Sequence, residues 1–245
     1  MQSQELSAPG FQIRHARPSD VDQLVVIEKA AWEAACDPDD MFTAEQFARQ
    51  IEYVGGFIFV AEEEGTGRLL GYVSALRLDI PLDAVVQHAT TWYELTGDGW
   101  YTTHQPNGLA QFGGSIGVPP EDGGEGVGQS LIERELVEMV REGMEYTFLG
   151  GRLPGMRDYL ATHPGTTPEA YFKLTRDDGL PYDEQLRYYV ELFEPIKLMP
   201  GYFRDQESCD YGVLLLWRNP YYGQGSPEAA AEEFQAELDS LNAEV

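Results

Sequence analysis

One segment of the chain, residues 112–128, restricts the possible folds more than any other. A run of strand character, residues 112–118, ends at two prolines and leads into a loop that holds four glycines, Gly123, Gly124, Gly126 and Gly128. Apolar residues then recur at helical spacing from Val127 to Val140. A strand, a glycine-rich loop and a helix in this order present free backbone N–H groups and a helix dipole to an anion. The segment therefore predicts a binding loop for a phosphate-bearing ligand.

The spacing of this loop excludes the two commonest nucleotide-binding motifs. No Lys-Ser or Lys-Thr pair follows the last glycine, so the loop is not a P-loop, and the G-x-G-x-x-G pattern is not met. Gly126 and Gly128 still allow a ligand to approach the backbone, because neither carries a Cβ atom. The ligand is therefore expected to be a different phosphate compound.

The loop resembles that of the GNAT (GCN5-related N-acetyltransferase) superfamily. In that family a strand ending in Val leads, over about ten residues, to an (Arg/Gln)-x-x-Gly-x-(Gly/Ala) loop that opens a helix; Gly123 stands here at the Arg/Gln position, which is a departure. The resemblance implies that Val118 pairs with pantetheine and that the N–H of Ile116 binds the acyl carbonyl oxygen. It also implies a cofactor-binding loop made of Gly123, Gly124, Glu125, Gly126, Val127 and Gly128.

The order of the predicted elements agrees with that resemblance. One strand, two helices and two further strands precede the loop strand, and strands at residues 146–151, 196–202 and 211–217 follow it. The expected fold is α/β (α+β), with a mixed, mostly antiparallel sheet of about seven strands flanked by helices and splayed between strands 4 and 5. Glycines 113, 114 and 117 suit a bulge that splays strand 4.

Three segments resemble the acetyltransferase module found fused to carbon–nitrogen (nitrilase-type) hydrolases. They are residues 92–99, 150–155 and 215–220, and the resemblance covers roughly residues 11–220. The expected division of the chain is a disordered N-terminus at 1–10, a GNAT-like acyltransferase domain at 11–222 and an acidic, frayed or partner-docked helical tail at 223–245. No hydrolase domain accompanies the module in this sequence.

Residues 79–108 form an aromatic insertion without a clear helix or strand pattern. Loops of this length usually have a function. One interpretation is a segment packed on the sheet edge; the other is a lid over the acceptor pocket, because aromatic rings make rigid apolar walls with polar tips. The candidate substrate-binding residues are Trp92, Tyr93, Trp100, Tyr101 and Tyr189.

Acyl transfer to an amine also needs a proton donor and a base. The resemblance places the general acid at Tyr188, in a Tyr-x-x-x-Gly-Phe slot where Leu192 replaces the glycine. Family members with a Glu base on the fourth strand carry it at the position of Phe112, so the base stays open between water, Asp79 and His104.

The net charge of −26 restricts the partners of the protein. It disfavours nucleic acid and anionic membranes, which bind basic surfaces, and favours a positively charged amine as acceptor. The two cysteines lie far apart and no Cys/His cluster has zinc spacing, so a reduced, cytoplasmic protein without a metal is expected. No apolar run reaches the ~18 residues of a membrane span. A homodimer is compatible with the sequence.

Three functional hypotheses follow. The first is an acyltransferase that moves an acyl group from acetyl-CoA or another acyl-CoA to a small-molecule amine by direct attack. The second keeps the enzyme but replaces CoA by a carrier protein or another acyl donor. The third is a non-catalytic binding module, since the loop lacks the Arg/Gln and carries the acidic Asp122 and Glu125.

Overall fold

Eight strands form one mixed sheet at the centre of the protein. The computed structural model describes the backbone of residues 6–8 and the whole of residues 10–88, 90–123 and 126–243. The strands are β1 (Leu6–Ala8), β2 (Phe11–His15), β3 (Ile58–Glu63), β4 (Leu69–Leu78), β5 (Ala110–Gly117), β6 (Tyr146–Gly151), β7 (Glu194–Met199) and β8 (Gly212–Arg218). Their order is β1-β2-β3-β4-β5-β6-β8-β7, and β5–β6 is the parallel pair among otherwise antiparallel neighbours. This confirms the expected mixed, mostly antiparallel sheet, with β1 as an additional edge strand.

Nine α-helices are present in the described ranges. They are α1 (Val21–Trp32), α2 (Ala44–Val54), α3 (Leu82–Gln87), α4 (Trp92–Thr96), α5 (Val127–Arg141), α6 (Met156–Thr162), α7 (Pro168–Phe172), α8 (Glu184–Tyr189) and α9 (Pro227–Asn242). None of these described helices combines the length and the apolar character that crossing a membrane requires.

The central strands separate two layers of helices. Phe59 and Val73 face α5 and pack in one buried cluster with its first turns. Their neighbours Val60 and Tyr72 point the other way, and Tyr72 contacts Phe47 of α2 and Glu28 of α1. This alternation follows from the pleat of a strand, which directs successive side chains to opposite faces. Helices α1 and α5 therefore lie on opposite faces of the sheet.

Strands β5 and β6 separate at the point where the sequence predicts it. Their parallel pairing ends at Gly113 and Leu149, after which β5 stays paired with β4 and β6 with β8. The β4–β5 register shifts between Ser74 and Ala75, which leaves Gly114 as an extra residue in β5. A Cβ atom on Gly114 would overlap the Tyr101 hydroxyl. The bulge therefore requires glycine, and the two strands open into a V-shaped gap.

Three expectations about the ends and the insertion need correction. Residues 6–8, which fall within the expected disordered N-terminus at 1–10, pair with β2, and residues 1–5 and 9 lie outside the described residues. The insertion is not irregular, since it contains α3 and α4, and Thr91 opens α4 with a capping box. The C-terminal segment is helical as expected, yet α9 is not frayed: Phe234 lies 5.3 Å from Trp217 between ring centroids, and Ala231 and Leu238 are buried.

Candidate active site

Two adjoining cavities lie at the gap between β5 and β6. The loop cavity, about 290 Å³, is lined by Val118, by the glycine loop and by Tyr188. The inner cavity, about 80 Å³, lies within the gap itself. Trp32, Ile116 and Tyr189 line both, so the two cavities are direct neighbours. A long ligand in the loop cavity would thus bring its tip to the inner cavity.

Four of the predicted site residues lie close together at the glycine loop: Ile116, Val118, Gly128 and Tyr188. Gly126, with a φ of +75°, lies directly before α5, and the N–H of Ser130 makes the first bond of the helix to its carbonyl. The preceding amides, including that of Gly128, have no partner within the helix. A Cβ atom placed on Gly128 would lie 3.3 Å from the Tyr188 hydroxyl and 3.9 Å from carbons of Ile116 and Val118. The loop cavity therefore unites the strand, the helix N-terminus and the predicted acid.

The remaining loop residues differ in what they offer a ligand. Gly123 lines the loop cavity, whereas Gly124 and Glu125 lie outside the described residues. The side chain of Val127 is fully buried in the core, so only its backbone N–H can serve a ligand. The charge of Asp122 is compensated, because both carboxylate oxygens lie 3.1 Å from the Arg68 guanidinium.

Tyr188 is positioned by the cap of α8. The carboxylate of Asp183 accepts hydrogen bonds from the N–H groups of Gln185 and Leu186 and from the hydroxyl of Tyr171. The Tyr188 side chain is 38% exposed. Desolvation, together with nearby carboxylates, raises the pKa of its hydroxyl above the usual value. The hydroxyl therefore stays protonated at neutral pH and can donate a proton.

Aromatic side chains form one wall of the inner cavity. The indole N–H of Trp92 donates to the carbonyl of Gly114 at 2.7 Å, which fixes the ring at the bulge. The Phe203 ring packs edge-on against Trp92 at 5.2 Å, and Tyr202 lines the same cavity. Rings of this kind attract cations through the negative faces of their π systems.

Glu28 is a functional candidate that the sequence interpretation missed. It is buried at 4% exposure on α1, and the Phe42 N–H donates to its Oε1 at 2.9 Å. The Tyr72 hydroxyl donates to its Oε2 and lies 3.0 Å from the Ser115 hydroxyl. Burial raises the pKa of Glu28 to about 7. A carboxyl group with that pKa suits general-base catalysis near neutral pH.

The charged groups around the inner cavity are mainly acidic. Glu28, Asp40, Glu135 and Asp205 line it. Asp40 is paired with Arg204 and Asp205 with Arg152, whereas Glu28 and Glu135 form no ion pair among the described residues. Arg152 also lines the cavity, but its guanidinium is held by Asp205 at 2.7 Å and 3.0 Å and by Glu207 at 2.8 Å. The cavity is therefore electrostatically suited to a cation and poorly suited to an anion.

The chain is similar in sequence to two known proteins. No protein-family model matches the chain. The "Uncharacterized N-acetyltransferase YkwB" of Bacillus subtilis is 25% identical over 215 residues, which are 87% of this chain and 91% of that protein. The "Probable hydrolase YhcX" of the same organism is 26% identical over 213 residues, 86% of this chain but only 39% of that protein.

Two solved structures are similar over nearly their whole length. The loading GNATL domain of CurA from Lyngbya majuscula has a TM-score of 0.70 at 22% identity, covering 85% of this chain and 97% of that domain. The GphF GNAT-like decarboxylase, in complex with isobutyryl-CoA, has a TM-score of 0.66 at 24% identity, covering 84% and 98%. The chain has the GNAT fold.

Within this GNAT fold, only part of the predicted aromatic set reaches the site. Trp92 and Tyr189 line the inner cavity. Tyr93 lies behind Phe203, stacked at 5.7 Å, and its hydroxyl donates to Asp40. Tyr101 is fully buried and its hydroxyl bonds to Ser74, while Trp100 lies outside the described walls of both cavities. The insertion therefore contributes a wall residue rather than a complete lid.

The two side chains predicted as bases lie away from the site. Asp79 is exposed at the end of β4, five residues beyond Ser74, which at ~3.3 Å per residue is about 16 Å along the strand. His104 accepts the Arg77 N–H at 3.1 Å and packs against Tyr53. Neither lines the two cavities. The structure therefore places neither predicted base at the cavities, whereas Glu28 lines the inner one.

The described residues contain no group of three or more His, Cys, Asp or Glu side chains that could hold a metal ion.

Cys36 lines the inner cavity, but burial and nearby carboxylates raise the pKa of its thiol to about 12. The thiolate is the nucleophilic form of cysteine, so this residue is inert as a nucleophile at neutral pH.

Proposed function

We propose that the protein is an acyl-CoA-dependent N-acyltransferase whose acceptor is the amine of a small, positively charged molecule. The observation that carries the proposal is the meeting of Ile116, Val118, Gly128 and Tyr188 around one cavity. That cavity adjoins an acidic, aromatic one. The first suits a pantetheine thioester and the second suits a cationic amine.

The donor would lie along the edge of β5 beyond Gly113, where none of the described strands pairs with it on the β6 side. Its pyrophosphate would accept hydrogen bonds from the first amides of α5, at the positive end of the helix dipole. The pantetheine amide would pair with Val118, and the N–H of Ile116 would bind the thioester carbonyl oxygen. The similar GphF structure, which holds isobutyryl-CoA, supports an acyl-CoA as the donor class.

The reaction follows from the groups around the thioester. The acceptor enters the inner cavity as an ammonium ion, and Glu28 removes one proton to give the neutral amine. The nitrogen lone pair attacks the thioester carbon, and the Ile116 N–H stabilises the oxyanion that forms. The carbon–sulfur bond then breaks, and Tyr188 donates its proton to the leaving thiolate. The second proton that the nitrogen loses as the amide forms restores the Tyr188 hydroxyl through solvent. The products are an amide and free CoA.

The charge of the inner cavity distinguishes this proposal from a decarboxylase, the activity named for GphF. A decarboxylase has to bind the carboxylate of the acyl group beside the thioester, and the acidic residues of the cavity wall disfavour such an anion. The one guanidinium in the described cavity wall, that of Arg152, is already bound by Asp205 and Glu207. Amine acylation is therefore the better fit.

Gly126→Asp is expected to weaken acyl-CoA binding by roughly tenfold or more, because it places a carboxylate where the helix N-terminus would bind phosphate. Titration calorimetry with CoA and acetyl-CoA measures this. The matched control is Gly223→Asp: Gly223 has a φ of +73°, and a Cβ there meets nothing within 4 Å, as at Gly126. The control reproduces the backbone strain far from the loop and should keep the affinity of the unmodified protein.

Failure of the unmodified protein to bind CoA below millimolar concentration would contradict the CoA donor. Binding of an acylated carrier protein in the same assay would then favour the carrier-protein hypothesis. Equal losses of affinity in both glycine variants would show that strain, not charge at the loop, weakens the binding.

Tyr188→Phe is expected to lower turnover tenfold or more while the donor affinity is kept, because only the proton-donating hydroxyl is removed. Single-turnover kinetics with acetyl-CoA and an amine measures the chemical step. Tyr222→Phe is the control, since Tyr222 has a similar exposure, 41%, and lines neither cavity. Unchanged turnover in Tyr188→Phe would show that the Tyr188 hydroxyl does not donate the proton and that the side chain only contributes packing.

A further inference from the structure

Glu135 is a second buried carboxyl group in the wall of the inner cavity. It lies on α5 at 2% exposure, and its Oε1 accepts no hydrogen bond within the described part of the chain. Burial raises the pKa of this carboxyl to about 8. Buried polar atoms in proteins are nearly always hydrogen-bonded, so an unpaired one in a cavity wall requires an explanation.

The reaction described above does not use Glu135. Glu28 already supplies the base, and its two oxygens are held by the Phe42 N–H and the Tyr72 hydroxyl. Glu135 has no comparable support and sits on the opposite face of the sheet, because α1 and α5 cover opposite faces. An unpaired, desolvated carboxyl group is poised to bind a cationic partner.

The inner cavity connects the two carboxyl groups through the sheet. Its walls include Val73 and Ile132 on the α5 side and Phe42 and Trp92 on the α1 side. The passage exists because β5 and β6 stop pairing at Gly113, which removes the hydrogen-bonded backbone that would otherwise close it. A ligand in this passage is a narrow molecule with one end at each face.

We propose that Glu135 binds a second ammonium group of the acceptor, which makes the substrate an α,ω-diamine. One nitrogen loses its proton to Glu28 and is acylated, while the other stays charged and pairs with the carboxylate of Glu135, which releases its own proton to solvent when the diamine binds. The apolar and aromatic walls between the carboxyl groups contact the methylene chain. This assignment rests on the proposed N-acyltransferase activity and names the substrate class of that site.

The test compares two acceptors of equal length. 1,4-Diaminobutane carries a second ammonium group at its far end, and 1-aminopentane carries a methyl group at the same position. The unmodified protein should show a kcat/KM at least tenfold higher for the diamine. Glu135→Gln should reduce that diamine-to-monoamine ratio by tenfold or more, since the amide offers no charge to the second ammonium. Pairs with three and five methylene groups between the nitrogens then define the preferred length.

Glu133→Gln is the matched control. Glu133 is also buried on α5, at 3% exposure, but its oxygens accept from Gln129 and Asn242 and it does not line the inner cavity. The control should keep the ratio of the unmodified protein. The assignment would be overturned if Glu135→Gln lowered kcat/KM equally for both acceptors. It would also be overturned if only the KM of the donor changed.

Calorimetry separates this inference from the proposed activity. The diamine should bind the unmodified protein at least tenfold more tightly than it binds Glu135→Gln, whether or not an acyl group is then transferred. Diamine binding that depends on Glu135, without acylation of any amine, would refute the transferase and keep the site. Acylation of monoamines and diamines at equal rates would refute the second ammonium site and keep the transferase.

Discussion

Glu28→Gln is expected to lower kcat by ~10²–10⁴ while the affinity for acyl-CoA is kept, because the acceptor amine can no longer lose its proton to a positioned carboxylate. The substitution preserves the size of the side chain. Its amide oxygen can still accept the Phe42 N–H, so the packing around α1 should persist. Steady-state kinetics at saturating acetyl-CoA and diamine measures kcat, and calorimetry with CoA measures donor binding.

The pH profile gives this prediction its second, independent signature. The pKa of Glu28 is raised from 4.5 to about 7, so the carboxyl is mostly protonated below that pH and cannot act as a base. Activity should therefore be low in acid and rise as the pH passes through about 7. The ratio of kcat between the unmodified protein and Glu28→Gln should grow over the same interval, because the amide does not titrate.

Glu33→Gln is the control for Glu28→Gln. Glu33 follows α1 directly, pairs only weakly with Lys29 at 3.8 Å and is exposed. The Glu33→Gln variant should have the same kcat and the same pH profile as the unmodified protein. A Glu28→Gln protein that keeps its full kcat, or one that keeps a rise through pH 7, would remove Glu28 as the base and return that role to water.

The loop was predictable because its causes are local. Strand periodicity, two prolines and the spacing of Gly126 and Gly128 fix a strand–loop–helix unit without reference to distant residues. The bulge at Gly114 has a different origin, since the side chain that is excluded there would overlap Tyr101 from the insertion. The resemblance to the GNAT motif placed Tyr188 four residues before Leu192, and the structure brings its hydroxyl opposite Gly128.

The acidic residues of the site were not predictable in the same way. Glu28 stands four residues after Leu24 on the buried face of α1, and this interruption of an apolar stripe was the only available signal. What makes it functional is burial, together with bonds from Phe42 and Tyr72, which lie 14 and 44 residues away. The spacing of neighbouring residues in the sequence does not reveal contacts between segments that lie this far apart in the chain.

The aromatic insertion shows the same limit. The sequence identifies a cluster of rings, but which ring faces the cavity depends on the backbone between them. Trp92 lies in the first turn of α4 and reaches the bulge. Tyr101 has a φ of +56°, unusual for a bulky residue, and its side chain is turned into the core instead. Composition cannot distinguish these two outcomes.

Glu135→Gln is expected to stabilise the protein at alkaline pH and to have little effect in acid. The folded pKa of Glu135 is about 8, compared with 4.5 for an ordinary glutamate. Between these two values the folded state binds more protons than the unfolded state, so the free energy of unfolding falls as the pH rises. The full difference corresponds to roughly 5 kcal/mol above pH 8 as an upper bound. The amide of the variant carries no charge at any pH, so the variant does not lose this part of the free energy of unfolding.

Thermal unfolding at pH 5 and pH 9 measures the effect. At pH 5 the carboxyl of Glu135 is protonated and similar in shape to an amide, so the two proteins should have nearly equal Tm. At pH 9 the variant should gain on the order of 2 kcal/mol or more, a rise in Tm of several degrees for a domain of this size. Glu133→Gln, which weakens the bonds from Gln129 and Asn242, should stabilise at neither pH. A Glu135→Gln protein that is destabilised equally at both pH values would mean that the carboxyl of Glu135 has a partner in solution and is not held unpaired for a cationic ligand.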